Sequence, residues 1–324
     1  MKTKKPLPLI AIALLIPGLI PVLGLAGCGK QTPVASVAVE PGQVTLPFSQ
    51  VRTVHVTWTP SAAIGEERPT VFVHLLDARK KVARTFDHPF PGRWSEGTPV
   101  ANGVKLYQSA LAPPLPPGRY QVTLGLYGRD GQRWPLEGLG QPVGRGEYNA
   151  FQVEVPNENP SPRFAFAPTW MDLETGGDRQ VLARRWLLNR AAFRLVDQRQ
   201  PGAVWMVLQI PSPGVADYKM VLDEGATTPS VLIRGNCGGT ETNVTGPGLH
   251  EVEVNVDTPP PGDFCHFILS ANFALQPLTR TGKARSASLE NLAWVPGGGK
   301  AGQPATAETS SSQTSSPTSP TSPQ

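Results

Sequence analysis

Between residues 37 and 296 the apolar side chains come in short runs that alternate with polar ones and are closed by proline or glycine. The run "RTVHVTWTP" sets Val54, Val56 and Trp58 on one side of an extended chain and Thr53, His55 and Thr57 on the other. That period of two belongs to a strand with one buried face. The 36 prolines and 33 glycines among 324 residues oppose long helices and supply turns. An all-β fold with many tight connections is the architecture this pattern permits.

The strands can be followed in order. After "SVAVEPGQVTL", the stretch "TVFVHLLDARKKVARTFDH" predicts a hairpin of Val71 to Leu76 and Val82 to Phe86, turning through Asp77 to Lys81. "LPPGRYQVTLGLYGRDGQRWPL" predicts a second, in which Tyr120 to Tyr127 returns at Arg133 and Trp134 through Gly128-Arg129-Asp130-Gly131. "EYNAFQVEV" supplies a closing strand. The polar, proline-bearing "PNENPSPRF" then predicts a linker over 157–163, dividing a first block, 37–156, from a second, 164–296.

In the second block "VLARRWLLNRAAFRLVD" has two readings. An amphipathic helix brings Leu182, Trp186, Asn189 and Phe193 near one face. Two strands, Val181 to Leu187 and Ala192 to Val196, agree better with the neighbouring "AVWMVLQI", "PSVLIRG", "HEVEVNV" and "FCHFILSANF". The Ser/Thr/Pro-rich stretch 297–324 has too little apolar surface for a core and is expected to be a disordered tail, a spacer or a carrier of O-linked sugar. The expected fold is therefore all-β, with two antiparallel β-sandwich domains, Ig-like or jelly-roll, in tandem.

The segment "VFVHLLDARKKVARTFDHPF", followed by "LPPGRYQVTLGLYGRDGQRWPL", resembles a β-sandwich module of bacterial envelope proteins that is often appended to membrane glycosyltransferases. The resemblance covers roughly 66–155 and rests on the FVHLLD strand, the following DHP and the PPGRY-to-GLY hairpin. It implies a fold and an envelope location, and brings no catalytic residue with it. The second block, with a Trp near its start, an RRW element and a late "RSASLENLAWVP", resembles jelly-roll modules related to carbohydrate-binding domains.

The N-terminus has the layout of an export signal: Lys2, Lys4 and Lys5, an apolar run from Leu7 to Leu25, then the small residues Ala26 and Gly27. About 20 apolar residues can span a bilayer, yet Pro8, Pro17, Gly18, Pro21 and Gly24 oppose a stable membrane helix here. Leu25-Ala26-Gly27-Cys28 resembles the lipobox of bacterial lipoprotein signals at all four positions. The resemblance implies that residues 1–27 are a signal peptide and are removed. Cys28 then carries a diacylglycerol thioether and palmitate-class acylation, and 28–36 form a tether. Two or three acyl chains hold a protein stably on a membrane where one is marginal. Gly29 stands where an inner-membrane retention signal has aspartate, so the outer membrane or the cell surface is the expected location.

Loss of the signal removes three of the 29 basic residues and none of the 25 acidic ones, leaving 26 minus 25, a net charge of +1. Nothing in that balance points to nucleic acid as a partner. In an exported chain Cys237 and Cys265 are expected to form a disulfide, and closing the loop between them stabilises by roughly 3 to 4 kcal/mol on the chain-entropy model. A metal site through Cys237, Cys265 and His266 lacks the CxxC or His-x3-His spacing such sites use.

Catalytic patterns are sparse. In "GRWSEG", Ser95 has the wrong spacing for a nucleophile elbow, and the Gly-rich "RGNCGGTETNVTG" lacks the Lys-Ser/Thr ending of a phosphate loop. Asp172 with Glu174, and Asp223 with Glu224, are the acidic pairs on offer for glycoside hydrolysis, but short spacing does not place them on one cleft, and solvated loop charges are the favoured reading. The five histidines, His55, His74, His88, His250 and His266, are dispersed and read as structural.

Trp94 and Trp170 lie in loop-like contexts beside Arg93, Glu96 and Asp172 and are the candidate glycan contacts, although core capping is the favoured role for both. Trp58, Trp186, Trp205 and Trp294 lie in strand patterns and are expected in cores. The expected function is a lipid-anchored, non-catalytic binding or structural module of the cell envelope. Its partners are the membrane, through the lipid, and a polysaccharide or an envelope protein; no cofactor or metal is expected. The alternatives are a glycan hydrolase with dispersed carboxylates and an assembly partner of a membrane complex.

Overall fold

The computed structural model describes residues 32–297, apart from 66–67, 176–182, 215–216, 240, 261 and 280–281. The export signal, Cys28, the stretch 298–324, Val181 and Leu182 lie outside the described residues. Every regular element among the described residues is a strand, and all the strands belong to one unit that begins at Pro33.

Two sheets enclose the first core. One has four strands in the order Val100–Tyr107, Val51–Pro60, Ala35–Glu40 and Leu136–Glu137. The other has seven: Pro142–Gly144, Glu147–Val155, Gly118–Tyr127, Thr70–Leu76 and Val82–Thr85 in order, with Gln43–Thr45 beside Glu147–Val155 and His88–Pro89 beside Thr70–Leu76. Pairing is antiparallel except where Leu136–Glu137 lies on Ala35–Glu40 and where Gln43–Thr45 lies on Glu147–Val155. Val54, Val56 and Trp58 from the first sheet meet Val71, Val73, Leu75, Val122, Leu124 and Leu126 from the second. The alternation in the sequence thus selects the buried face.

A second core lies between two antiparallel five-stranded sheets. One runs Arg163–Phe166, Arg190–Val196, Cys265–Ala271, Ser230–Gly235 and Glu241–Thr245. The other runs Glu174–Thr175, Ala183–Trp186, Ser288–Pro296, Gly202–Ile210 and Gly248–Val256. A two-stranded ribbon, Tyr218–Leu222 with Phe273–Pro277, packs beside them. Phe193 and Phe267 stack at 5.0 Å in this core, among Val204, Met206, Leu208 and Ile233.

The stretch with two sequence readings is two strands, Ala183–Trp186 and Arg190–Val196. They sit in different sheets, because the chain crosses the core between them and delivers Trp186 and Phe193 into it from opposite sides. The second predicted hairpin returns at Arg133 and Trp134: Tyr127 bridges Arg133, and the Trp134 amide donates to the Leu126 carbonyl at 3.4 Å. Burial of Trp134 and Leu136 then draws the chain to the four-stranded sheet, where Leu136–Glu137 pairs with Ala35 and Ser36.

Cys237 and Cys265 are joined in a disulfide with Cα atoms 5.4 Å apart, and both residues are buried. The segment read as a linker is tied down. The Ser161 hydroxyl donates to the Phe48 carbonyl at 2.9 Å and accepts from Gln50 Nε2 at 2.8 Å. A third, small apolar cluster of Val51, Trp205 and Ala293, flanked by Tyr107, Val207 and Val295, joins residues of both halves.

Candidate functional site

A group of titratable side chains stands on the outer face of the seven-stranded sheet. In Thr70–Leu76 the residues Val71, Val73 and Leu75 point into the core, so Phe72 and His74 point out. His74 lies opposite Thr123 on one neighbouring strand and Thr85 on the other. Glu147, at the start of Glu147–Val155, reaches over the same face. Its Oε1 accepts the Thr123 hydroxyl at 2.6 Å and lies 3.3 Å from His74 Nδ1, while Oε2 lies 3.3 Å from Arg133 Nη1.

On the other side of the imidazole, Asp87 Oδ1 is 3.7 Å from Nε2 and accepts the Val73 amide at 3.1 Å. The His74, Asp87 and Glu147 side chains are 17%, 29% and 15% exposed. The group is therefore half-buried, and each charge has partners within a short distance.

Phe72 forms the floor. Its ring lies 4.9 Å from the imidazole, and the Arg133 guanidinium stands 4.6 Å above it. The ring lies against the sheet because the residue across from it is Gly125. A Cβ there would sit 2.1 Å from a Phe72 ring atom and 2.3 Å from the Gly146 carbonyl oxygen. Further along the same face Gln121 stands opposite Gln152 and Arg119 opposite Glu154.

This arrangement offers hydrogen-bond donors and acceptors in a fixed pattern. The Thr123 proton is directed to Glu147 rather than to the imidazole. Among the described residues no cluster of three His, Cys, Asp or Glu side chains is placed to hold a metal ion.

The structure places the sequence-predicted residues elsewhere. Trp94 is 7% exposed, packs on Phe90 at 5.2 Å and donates its Nε1 proton to the Ala62 carbonyl. Trp170 is 6% exposed, meets Phe166 edge to face at 5.6 Å and donates to the Ala192 carbonyl. Each caps a different core, and neither offers an open ring face for a sugar; of the two roles open to them, core capping is the one observed.

Asp172, Asp223 and Glu224 are exposed loop residues. Glu174 is engaged with Trp186 Nε1 at 2.9 Å and Arg285 Nη1 at 3.4 Å, so it does not pair with Asp172 across a cleft. Ser95, His55 and His266 are exposed, and His250 Nε2 lies 2.9 Å from the Gly246 carbonyl. Sequence reasoning did not assemble His74 with Asp87 and Glu147. The alternation around His74 marked it as outward-facing, but its partners arrive only through strand pairing.

No protein-family model matches the chain, and no curated protein matches it. Among solved structures, one described as a chaperone-tip adhesin complex of CFA/I fimbriae biogenesis is similar at 9% identity and TM-score 0.20, covering 82% of this chain and 98% of that one. Bacteroides uniformis β-glucuronidase 2 is similar at 10% identity and TM-score 0.17, and a second Bacteroides uniformis β-glucuronidase at 10% and 0.18. This chain spans 30% of each glucuronidase. Likeness at these TM-scores carries no weight for fold or for activity.

Proposed function

We propose that the chain is a lipid-anchored cell-envelope protein acting as a non-catalytic binding or structural module, with two β-sandwich domains in tandem, Ig-like and jelly-roll-like, and a glycan as its ligand. The observation that carries the reading is the buried Cys237–Cys265 disulfide. Structural disulfides persist in oxidising, extracytoplasmic compartments, the destination that Leu25-Ala26-Gly27-Cys28 implies. The His74 group, whose polar atoms are turned toward one another, supports a structural part for that cluster.

With Trp94 and Trp170 internal, the glycan contact moves to the outer face around Glu147, Gln121 and Gln152. There an array of amides and carboxylates matches a hydroxyl-rich polymer better than an apolar one.

Two measurements test this. The mass of the mature N-terminal peptide from the full chain should show acylated Cys28, and Cys28→Ser should abolish both the lipid and detergent-phase partitioning; an unmodified Cys28 would sink the anchor. On a glycan array, Gln152→Ala and Glu147→Gln should each weaken whatever the native chain retains. Retention unchanged in both variants, or no retention at all, would remove the glycan reading.

A further inference from the structure

We infer that the first half of the chain is a fixed-length strut that carries the second half at a set distance and angle from Val34, where the chain enters the first pair of sheets. Its placement relative to a membrane rests on the lipid reading above; its stiffness does not.

Val34 is held at this end of the first half: its amide donates to the Pro135 carbonyl at 2.9 Å and its carbonyl accepts from the Ser61 amide at 2.7 Å. The next residue, Ala35, is paired with Pro60, so this end coincides with the last residue of the strand Val51–Pro60. The second half is attached at the opposite end of that strand, where Val51 packs with Trp205 and Ala293. A strand of ten residues at about 3.3 Å each spans about 30 Å. The same strand thus fixes both the point of attachment and the point of delivery.

The attachment is stiffer than interfaces between sandwich-sized units usually are, since those slide or hinge unless large and apolar. Here three kinds of contact act together. Main chain crosses directly: the Trp294 amide donates to the Ser49 carbonyl at 2.6 Å, and the Ala110 amide donates to the Leu292 carbonyl at 2.7 Å. Buried side chains close around them, with the Leu292 amide donating to Ser109 Oγ at 3.2 Å and the Tyr107 and Trp205 rings 4.7 Å apart.

At the rim Glu251 accepts the Trp205 Nε1 proton at 2.7 Å and pairs with Lys105. The connector cannot act as a hinge either, because Ser161 is bonded to Phe48 and Gln50. Bending at this joint breaks several buried hydrogen bonds at once.

The test uses the full chain carrying Cys28→Ser, with spin labels attached at Ser95→Cys and Asn243→Cys, two exposed positions in different halves. Pulsed dipolar spectroscopy should give one narrow distance distribution, and Trp205→Ala, checked for retained strand signal, should broaden it. A broad native distribution, of the kind a flexible linker produces, would overturn the strut.

In a second arm the acylated chain is bound to phosphatidylcholine vesicles containing a lipid-borne energy acceptor, with one fluorophore at either position. Strong transfer from position 95 and weak transfer from position 243 supports outward projection, whereas equal transfer overturns it. Failure of the acylated chain to bind vesicles, with the narrow distribution intact, rejects the lipid reading and leaves the strut standing.

Discussion

Tyr107 and Trp205 lie ring against ring, 4.7 Å between centroids and 45° between planes, although 98 residues separate them and each belongs to a different core's sheet. Trp205 is 2% exposed yet belongs to neither large core, so its burial is produced by the joint itself. Replacing it by alanine should cost about 3 to 5 kcal/mol, the range for deleting a large buried ring. Calorimetry should show one unfolding transition in the native chain and two in Trp205→Ala, as each core melts alone; a single transition in both would mean that the joint does not couple them.

Stability should fall in alkali because of the same pair. Burial pushes the Tyr107 phenol above its ordinary 10.0, and the smaller effect of its hydrogen bond with Asn291 pulls the other way. Tyr120 is raised too, first by burial and then by Asp77, with Arg84 opposing. A raised phenol means that the folded chain holds its proton longer than the unfolded one does. The contribution is complete below the ordinary value and is lost as pH rises through the folded value. Urea midpoints measured from about pH 9 to about pH 11 should therefore decline, and the decline should be shallower in Tyr107→Phe.

Gly125→Ala should destabilise by about 1 to 3 kcal/mol, the usual range for overpacking, since its Cβ would collide with the Phe72 ring and the Gly146 carbonyl. Gly42→Ala is the control, because a Cβ there meets nothing within 4 Å. Equal denaturation midpoints for the two variants would show that Phe72 is free to move away.

Cutting the disulfide should be felt mainly in the unfolded ensemble. The bridge closes a loop of 28 residues, for which the chain-entropy model gives about 3.5 kcal/mol. Cys237→Ser with Cys265→Ser should lower stability by that order in equilibrium denaturation. Under native conditions a membrane-impermeant thiol reagent without reductant should label neither residue, and labelling of both would contradict the bridge.

The local part of this fold was legible in the sequence, and the long-range part was not. Alternation in "RTVHVTWTP" marks the buried face of Val51–Pro60, and the Asp77 to Lys81 turn marks the hairpin between Thr70–Leu76 and Val82–Thr85. Both signals lie within a few residues of what they predict.

The partner of Leu136–Glu137 is Ala35–Ser36, about a hundred residues earlier, and nothing in a two-residue strand names it. The polar cluster was hidden for the same reason: His74, Asp87 and Glu147 converge through three separate strand connections. For Trp94 and Trp170 the loop-like surroundings report on turn chemistry and not on whether an indole turns inward, so the favoured core-capping role needed their burial to establish it. The proline-bearing connector marks a boundary in composition, but its bonds from Ser161 to Phe48 and Gln50 could not be read there.

The strand Ala35–Glu40 is held on both flanks, by Val51–Pro60 running against it and by Leu136–Glu137 running with it. A pull applied at Val34 and resisted at the joint near Val51 acts along the axis of these strands, so their hydrogen bonds are loaded side by side in shear instead of being peeled one after another. The first half is therefore built to bear tension: a load on the second half would reach Val34 before it could unravel Ala35–Glu40.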